Sequence, residues 1–275
     1  MNALTAWHEI NRGTSDEVVL ASDFDLPGRP EARFTDLAER LDPAVALWVT
    51  DAHAVVSSFE DSVDTYVKQW VDEVEASGKR VRGVLGFCGG SLYAAAIAAE
   101  VERRRGELPP TVLFDPERST SLGMYFQFAK AVEQLAPALS QARFGLAVEA
   151  GQRAQRGSAS LAELAARLFE VFGGVSDEAF TRLGVTAERR AEFVRSVRVF
   201  LSYMAVADQV DPADVWRRST AISSVTPTSG LNGLRALDPR AADGLVAEEV
   251  RSADRHVDLL RSAEVARTVS AVLAR

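Results

Sequence analysis

Short apolar runs separated by stretches of helical length set the limits on what this chain can fold into. Val18–Ala21, Ala44–Thr50, Val81–Phe87 and Thr111–Asp115 read as strands, as do Ala221–Val225 and Leu245–Val250 near the end. The segments between the early runs read as helices, over Phe34–Leu41, Phe59–Ser77 and Ser91–Arg104. In the second of these, Val63, Tyr66, Val67, Trp70, Val71 and Val74 recur on one face of a 3.6-residue period. Strands joined through helices cannot be hairpins, so the expected fold is α/β, a mostly parallel sheet flanked by helices. Residues 120–207 carry no strand signal. Leu161, Leu164, Leu168 and Phe172 form one helical stripe there, and Phe193, Val197, Phe200, Leu201 and Met204 another. One domain over residues 1–275 with a helical insertion at 120–207 is expected, and Gln152–Ser160, with Gly157, is the expected flexible point. Val265, Val269, Val272 and Leu273 mark a closing amphipathic helix.

Charge and cysteine usage narrow the function. Asp plus Glu (39) outnumber Lys plus Arg (31), a net charge of −8 that argues against nucleic-acid and anionic-membrane binding. The single cysteine, Cys88, excludes an internal disulfide and a multi-cysteine metal site, and no metal site is expected. No basic cluster followed by an apolar core opens the chain, and no run approaches the ~20 apolar residues of a membrane span. The chain therefore reads as soluble and cytoplasmic; its oligomeric state is not legible.

The chemistry is expected at the end of the third strand. Gly86-Phe87-Cys88-Gly89-Gly90 fits a G-x-nucleophile-x-G elbow with cysteine as the nucleophile, preceded by a buried strand and followed by a helix. Small neighbours let so tight a turn close. The helix terminus behind it favours a thiolate and, later, an oxyanion, with the Gly89 N–H as the first donor. The plainer reading is a buried structural cysteine beside packing glycines. A cysteine nucleophile needs a base, and only three histidines exist. His8 precedes the first strand signal and His53 follows the second, whereas His256 lies after the last strand, where a strand–helix hydrolase places its base. Asp115, closing the Thr-Val-Leu-Phe strand, suits the orienting acid. The next strand is followed instead by Thr226-Pro227-Thr228.

The ordered set Gly-Phe-Cys-Gly-Gly, Leu-Phe-Asp-Pro and a late His-x-x-Leu-Leu resembles the thioesterase branch of the α/β hydrolases, stand-alone (type II) or integrated in polyketide and nonribosomal-peptide assembly lines. The resemblance runs from the first strand to the last helix. It implies an α/β-hydrolase fold in which 120–207 forms a lid over the acyl site. The two stripes read first as packing within that cap, with substrate lining as the second reading and Phe200, Leu201 and Met204 as candidate lid or pocket residues. The resemblance makes Cys88 the nucleophile, Asp115 the acid and His256 the base. It takes the second oxyanion donor from the loop after the first strand signal, where register suggests the Phe24 N–H. This sequence departs from the family there, reading Ser22-Asp23-Phe24-Asp25-Leu26-Pro27-Gly28 where paired small residues are usual. The dienelactone-hydrolase branch also uses an elbow cysteine, but its acid and histidine follow at shorter spacings and it lacks a long lid.

The resemblance implies a thioesterase, a hydrolase of antibiotic and other natural-product biosynthesis. Its substrate would be an acyl, aminoacyl or peptidyl thioester on the phosphopantetheine arm of a carrier protein acting in trans, with no bound cofactor. Cysteine chemistry leaves a second outcome open. An acyl thioester on Cys88 exchanges onto another thiol at little cost and reacts downhill with an amine, so an acyltransferase or cyclase stands beside the hydrolase. A non-catalytic binding protein of the same fold is the third reading.

Overall fold

The computed structural model describes residues 4–24 and 29–275. The chain forms two compact units. One takes the chain up to residue 55 with residues 63–118 and 210–275; the other takes 56–62 and 119–209.

The first unit is built on a seven-stranded sheet of order β1-β3-β2-β4-β5-β6-β7. The strands are β1 (Trp7–Asn11), β2 (Glu17–Ser22), β3 (Ala46–Thr50), β4 (Arg80–Phe87), β5 (Thr111–Phe114), β6 (Thr220–Ser223) and β7 (Glu248–Arg251). All pairings are parallel except β1 with β3. Strands β2 to β6 lie where the apolar runs are, because a central parallel strand is covered on both faces and cannot alternate polar residues. The last run is displaced: Leu245 and Val246 precede β7 and pack against Leu231 and Ala242 instead. Strand β1 carries no apolar run. It is an edge strand that buries Trp7 against Trp48 and Trp70 and leaves His8 and Glu9 exposed.

Helices of this unit are α1 (Phe34–Ala38), α2 (Ala52–Val55), α3 (Val63–Ala76) and α4 (Gly90–Arg105). Helix α3 turns the predicted stripe inward: Tyr66, Val67, Trp70, Val71 and Val74 are buried. Trp70 meets Tyr93 of α4 edge-on at 5.5 Å. Helix α4 is buried on nearly every side, and its run of alanines lets it lie close on the sheet.

The second unit is all helical among its described elements: α5 (Ser121–Glu133), a 3-10 turn (Ala136–Ala138), α6 (Gln141–Gly157), α7 (Leu161–Arg182) and α8 (Ala187–Ala207). Thr120, Ser140, Ser160 and Thr186 cap the four α-helices by accepting a backbone N–H three residues on, each contributing about 1 kcal/mol. Leu164, Leu168, Phe172, Phe128, Val197 and Leu201 share its core. The segment expected to flex is helical through Gly157, and Ser160 already caps the next helix. The chain then returns to the sheet unit through α9 (Ala213–Trp216), α10 (Gly230–Leu237), a 3-10 turn (His256–Arg261) and α11 (Ala263–Leu273). No described helix is long and apolar enough to cross a membrane.

Candidate active site

Cys88 stands one residue past β4, with φ at +52°, in the left-handed region that costs a residue with a side chain about 1–2 kcal/mol. The neighbours sustain it. The Cys88 N–H donates to the Phe114 carbonyl at 2.9 Å, and the Cys88 carbonyl accepts from Ser91 at 3.0 Å and Glu117 at 3.3 Å. Gly90 lets α4 approach so closely that a Cβ there would lie 2.3 Å from the Ser22 carbonyl oxygen. The elbow thus places a side chain between the carboxyl ends of β2 and β5 and the start of α4.

Among the described residues, Asp115 is the other non-glycine in this region, at φ +43° and fully buried. Its Oδ1 accepts the Ser224 N–H at 2.9 Å, and its Oδ2 lies 2.7 Å from His256 Nδ1. Gly230, itself at φ +53°, packs against it; a Cβ there would meet the Asp115 Cα at 2.6 Å. His256 opens the 3-10 turn after β7. Its backbone N–H donates to Thr226 Oγ1 at 2.9 Å, and its ring stacks on Phe87, the residue before Cys88, at 4.7 Å. Burial works against charging this imidazole, but the hydrogen bond and charge of Asp115, with Glu117 and Glu31, outweigh it and raise its pKa above the ordinary value. A neutral ring whose Nδ1–H donates to Asp115 keeps Nε2 as the basic nitrogen.

The Cys88 sulfur is engaged elsewhere. Its S–H donates to Glu117 Oε2 at 3.4 Å, and among the described residues no hydrogen bond joins it to His256. The helix-terminus argument leads one to expect a lowered thiol pKa; the surroundings push it well up. Burial contributes most, then the Glu117 charge, and Asp23 adds to it, while the Gly89 N–H alone pulls the other way. Glu117 escapes a reading of the sequence because a carboxylate two residues past a strand reads as solvated loop. Its one signal is the neighbouring Asp115-Pro116, which ends the strand at the elbow.

The two oxyanion positions differ. A Cβ on Gly89 would have no neighbour within 4 Å, so space is open beside that residue, and its N–H is directed toward the Cys88 sulfur. The Phe24 N–H donates to Asp23 Oδ1 at 2.7 Å, so an oxyanion would have to displace that carboxylate to reach it. Arg29 fixes that state by bonding both Asp23 oxygens, at 2.8 and 2.5 Å, and the Phe24 carbonyl at 2.7 Å. Asp25 and the rest of that loop through Gly28 lie outside the described residues. In the helical unit, Leu201 is buried in the core, Met204 packs against it and Phe200 is partly buried. Among the described residues no cluster of His, Cys, Asp or Glu could hold a metal ion.

No protein-family model and no curated protein matches the sequence. Solved structures do resemble the fold. Holo-AB3403, a four-domain nonribosomal peptide synthetase bound to AMP and glycine, aligns with TM-score 0.57 and 14% identity. That alignment covers 98% of this chain, which spans only 20% of the synthetase. The NocB thioesterase domain from the nocardicin cluster aligns at 0.52 with 19% identity, over 98% of this chain and 99% of that one. The Vlm2 thioesterase domain carrying genetically encoded 2,3-diaminopropionic acid, bound with a dodecadepsipeptide, aligns at 0.53 with 15% identity, over 97% of both. At these identities the likeness establishes the α/β-hydrolase fold, as the sequence led one to expect.

Proposed function

We propose that this protein is a thioesterase-like enzyme that processes carrier-bound acyl, aminoacyl or peptidyl thioesters through an acyl-Cys88 intermediate. The observation that carries this reading is the cysteine held at φ +52° on a strand-to-helix elbow, with the ring of His256, paired to the buried Asp115, stacked on the preceding residue. The whole-length likeness to two thioesterase domains and to part of a nonribosomal peptide synthetase supports the choice of substrate.

In this mechanism His256 Nε2 takes the thiol proton, and the sulfur attacks the thioester carbonyl. The Gly89 N–H stabilises the tetrahedral oxyanion. The C–S bond to the pantetheine arm breaks, and the leaving thiolate takes the proton back from Nε2. Water, activated by the same nitrogen, then frees the acyl group. A carrier protein in trans would present the substrate, and no bound cofactor takes part. The helical unit at 120–207 is proposed as the lid, with Phe200 and Met204 as the residues on it to test against the acyl chain.

One observation favours transfer as a second reading: the nucleophile is sulfur. An acyl-Cys88 thioester keeps the energy of its donor, so passing it to a thiol is nearly thermoneutral and aminolysis, including cyclisation, is downhill. Loading the protein from an acyl-pantetheine donor and following deacylation separates the two. Rapid release in buffer, unchanged by a thiol or amine, identifies the hydrolase; an acyl-Cys88 that discharges only on addition of acceptor identifies the transferase. If no acyl group is loaded or released, the thioesterase reading fails.

A further inference from the structure

Among the described residues, Glu117 is the one carboxylate that hydrogen-bonds the sulfur, and the catalytic scheme above gives it no task. Its two oxygens have separate partners: Oε2 accepts the Cys88 S–H at 3.4 Å, and Oε1 accepts the Gly230 N–H at 3.0 Å. Its own N–H donates to the Cys88 carbonyl, so the carboxylate is tethered to the elbow from both ends. Other charges face the sulfur from each neighbouring element. Asp23 follows β2, but Arg29 pairs with it at 2.5 Å and compensates its field. His256 follows β7 and is held by Asp115 at 2.7 Å. Among the described residues, no arginine or lysine pairs with Glu117. Its carboxylate therefore acts on Cys88 at hydrogen-bond distance, in a partly buried setting where screening is weak.

We propose that Glu117 restrains the nucleophile, its carboxylate holding Cys88 as a neutral thiol until an acyl thioester is bound and the sulfur leaves Glu117 for His256. The role rests on Cys88 being the nucleophile of the proposed function. In the resting state the S–H···O bond persists. On substrate binding that bond breaks, the proton passes from sulfur to His256 Nε2, the C–S bond to the acyl group forms, and the pantetheine thiolate leaves with the proton. A neutral thiol is also a poor target for alkylating agents and peroxides, which attack the thiolate. The device thus keeps the only cysteine inert between turnovers.

A structural bridge from the elbow to Gly230 is the competing role, and charge separates the two. Glu117→Gln keeps an oxygen for the Gly230 N–H and the same reach, and removes only the charge. The experiment is the pH dependence of iodoacetamide alkylation of the full chain, read by intact mass; Cys88 is the only thiol. In the wild type the midpoint is expected well above the free-thiol value of about 8.5. Glu117→Gln should lower it by about one unit or more. Alkylation at pH 7 should then rise about threefold, since tenfold more thiolate is partly offset by its lower nucleophilicity. A purely structural Glu117 would leave the midpoint where it was, and that result overturns the proposal. Should Glu117→Gln fail to fold, the wild-type titration alone decides: a midpoint at or below about 8.5 also overturns it. Acyl loading from an acyl-pantetheine donor, run in parallel, keeps the two ideas distinct. A shifted midpoint with no acyl loading sinks the thioesterase reading and spares the restraint; loading with no shift does the reverse.

Discussion

His256 and Cys88 stand at the same edge of the sheet, yet their side chains keep different company. The imidazole is stacked on Phe87, bonded to a fully buried Asp115 at 2.7 Å and anchored through its backbone to Thr226. The sulfur, one residue along from that same phenylalanine, bonds to Glu117. On the proposed reading the base is set for use while the nucleophile is restrained, and the Phe24 N–H, the proposed second oxyanion donor, is likewise occupied, by Asp23. The contrast is informative because fixed parts and movable parts of a site are made differently. The imidazole is held through its ring and its backbone by two hydrogen bonds, one to a fully buried carboxylate, whereas the sulfur is held by a single thiol–carboxylate contact. On the proposed reading, a substrate has to move the sulfur away from Glu117 while the imidazole stays in place.

Disabling the base half should have the largest effect. His256→Ala is expected to lower turnover of an acyl thioester by about 10³–10⁴-fold, and Asp115→Asn by about 10² or more, with KM changed far less. Steady-state kinetics on folded protein check this, and turnover within a few-fold of wild type in His256→Ala would remove His256 from the mechanism. Packing comes next. Leu201→Ala, in the core of the helical unit, should cost about 2–4 kcal/mol in urea denaturation; if Leu201 serves packing alone, turnover of the folded variant stays near wild type. Gly230→Ala should cost about 1–3 kcal/mol, because a Cβ would press on the Asp115 backbone from a left-handed position. That loss should come with a longer His256–Asp115 contact and a lower imidazole pKa, measurable by NMR titration.

The smallest effect is on pH dependence. The folded-state pKa of His256 is raised, so the protonated ring is favoured in the folded protein. Its stabilisation is fully present below the unfolded value of about 6.5 and is lost as pH rises through the higher folded value. Denaturation midpoints compared at pH 5.5 and 8 should show that loss in the wild type and a smaller one in Asp115→Asn. An equal slope in both proteins would detach the raised pKa from Asp115.

Much of the fold is legible in the sequence. Buried parallel strands are continuous apolar runs, so β2 to β6 stood out, and the elbow showed itself as small residues between a strand and a helix. Strand β1 did not, because an edge strand needs only one covered face and His8 and Glu9 look like loop. The ring of His256 could be matched to Asp115 from chain order. What chain order cannot carry is which of several carboxylates near a turn a given atom will meet. Glu117 reaches Cys88 because β5 ends in a left-handed Asp115 beside the elbow, and the Asp23 carboxylate that takes the Phe24 N–H is itself held by Arg29. Such contacts arise from the closing of local backbone, and the pattern of residue types is silent about them.

The central claim is that Cys88 carries the acyl group. Incubation of the wild-type chain with an acyl-pantetheine thioester, quenched in acid and read by intact mass with peptide mapping, tests it most directly. The account predicts one acyl group per chain, located on Cys88, with both the adduct and thioester consumption absent in Cys88→Ala. A Cys88→Ala protein that still releases the acyl group at the wild-type rate would contradict it.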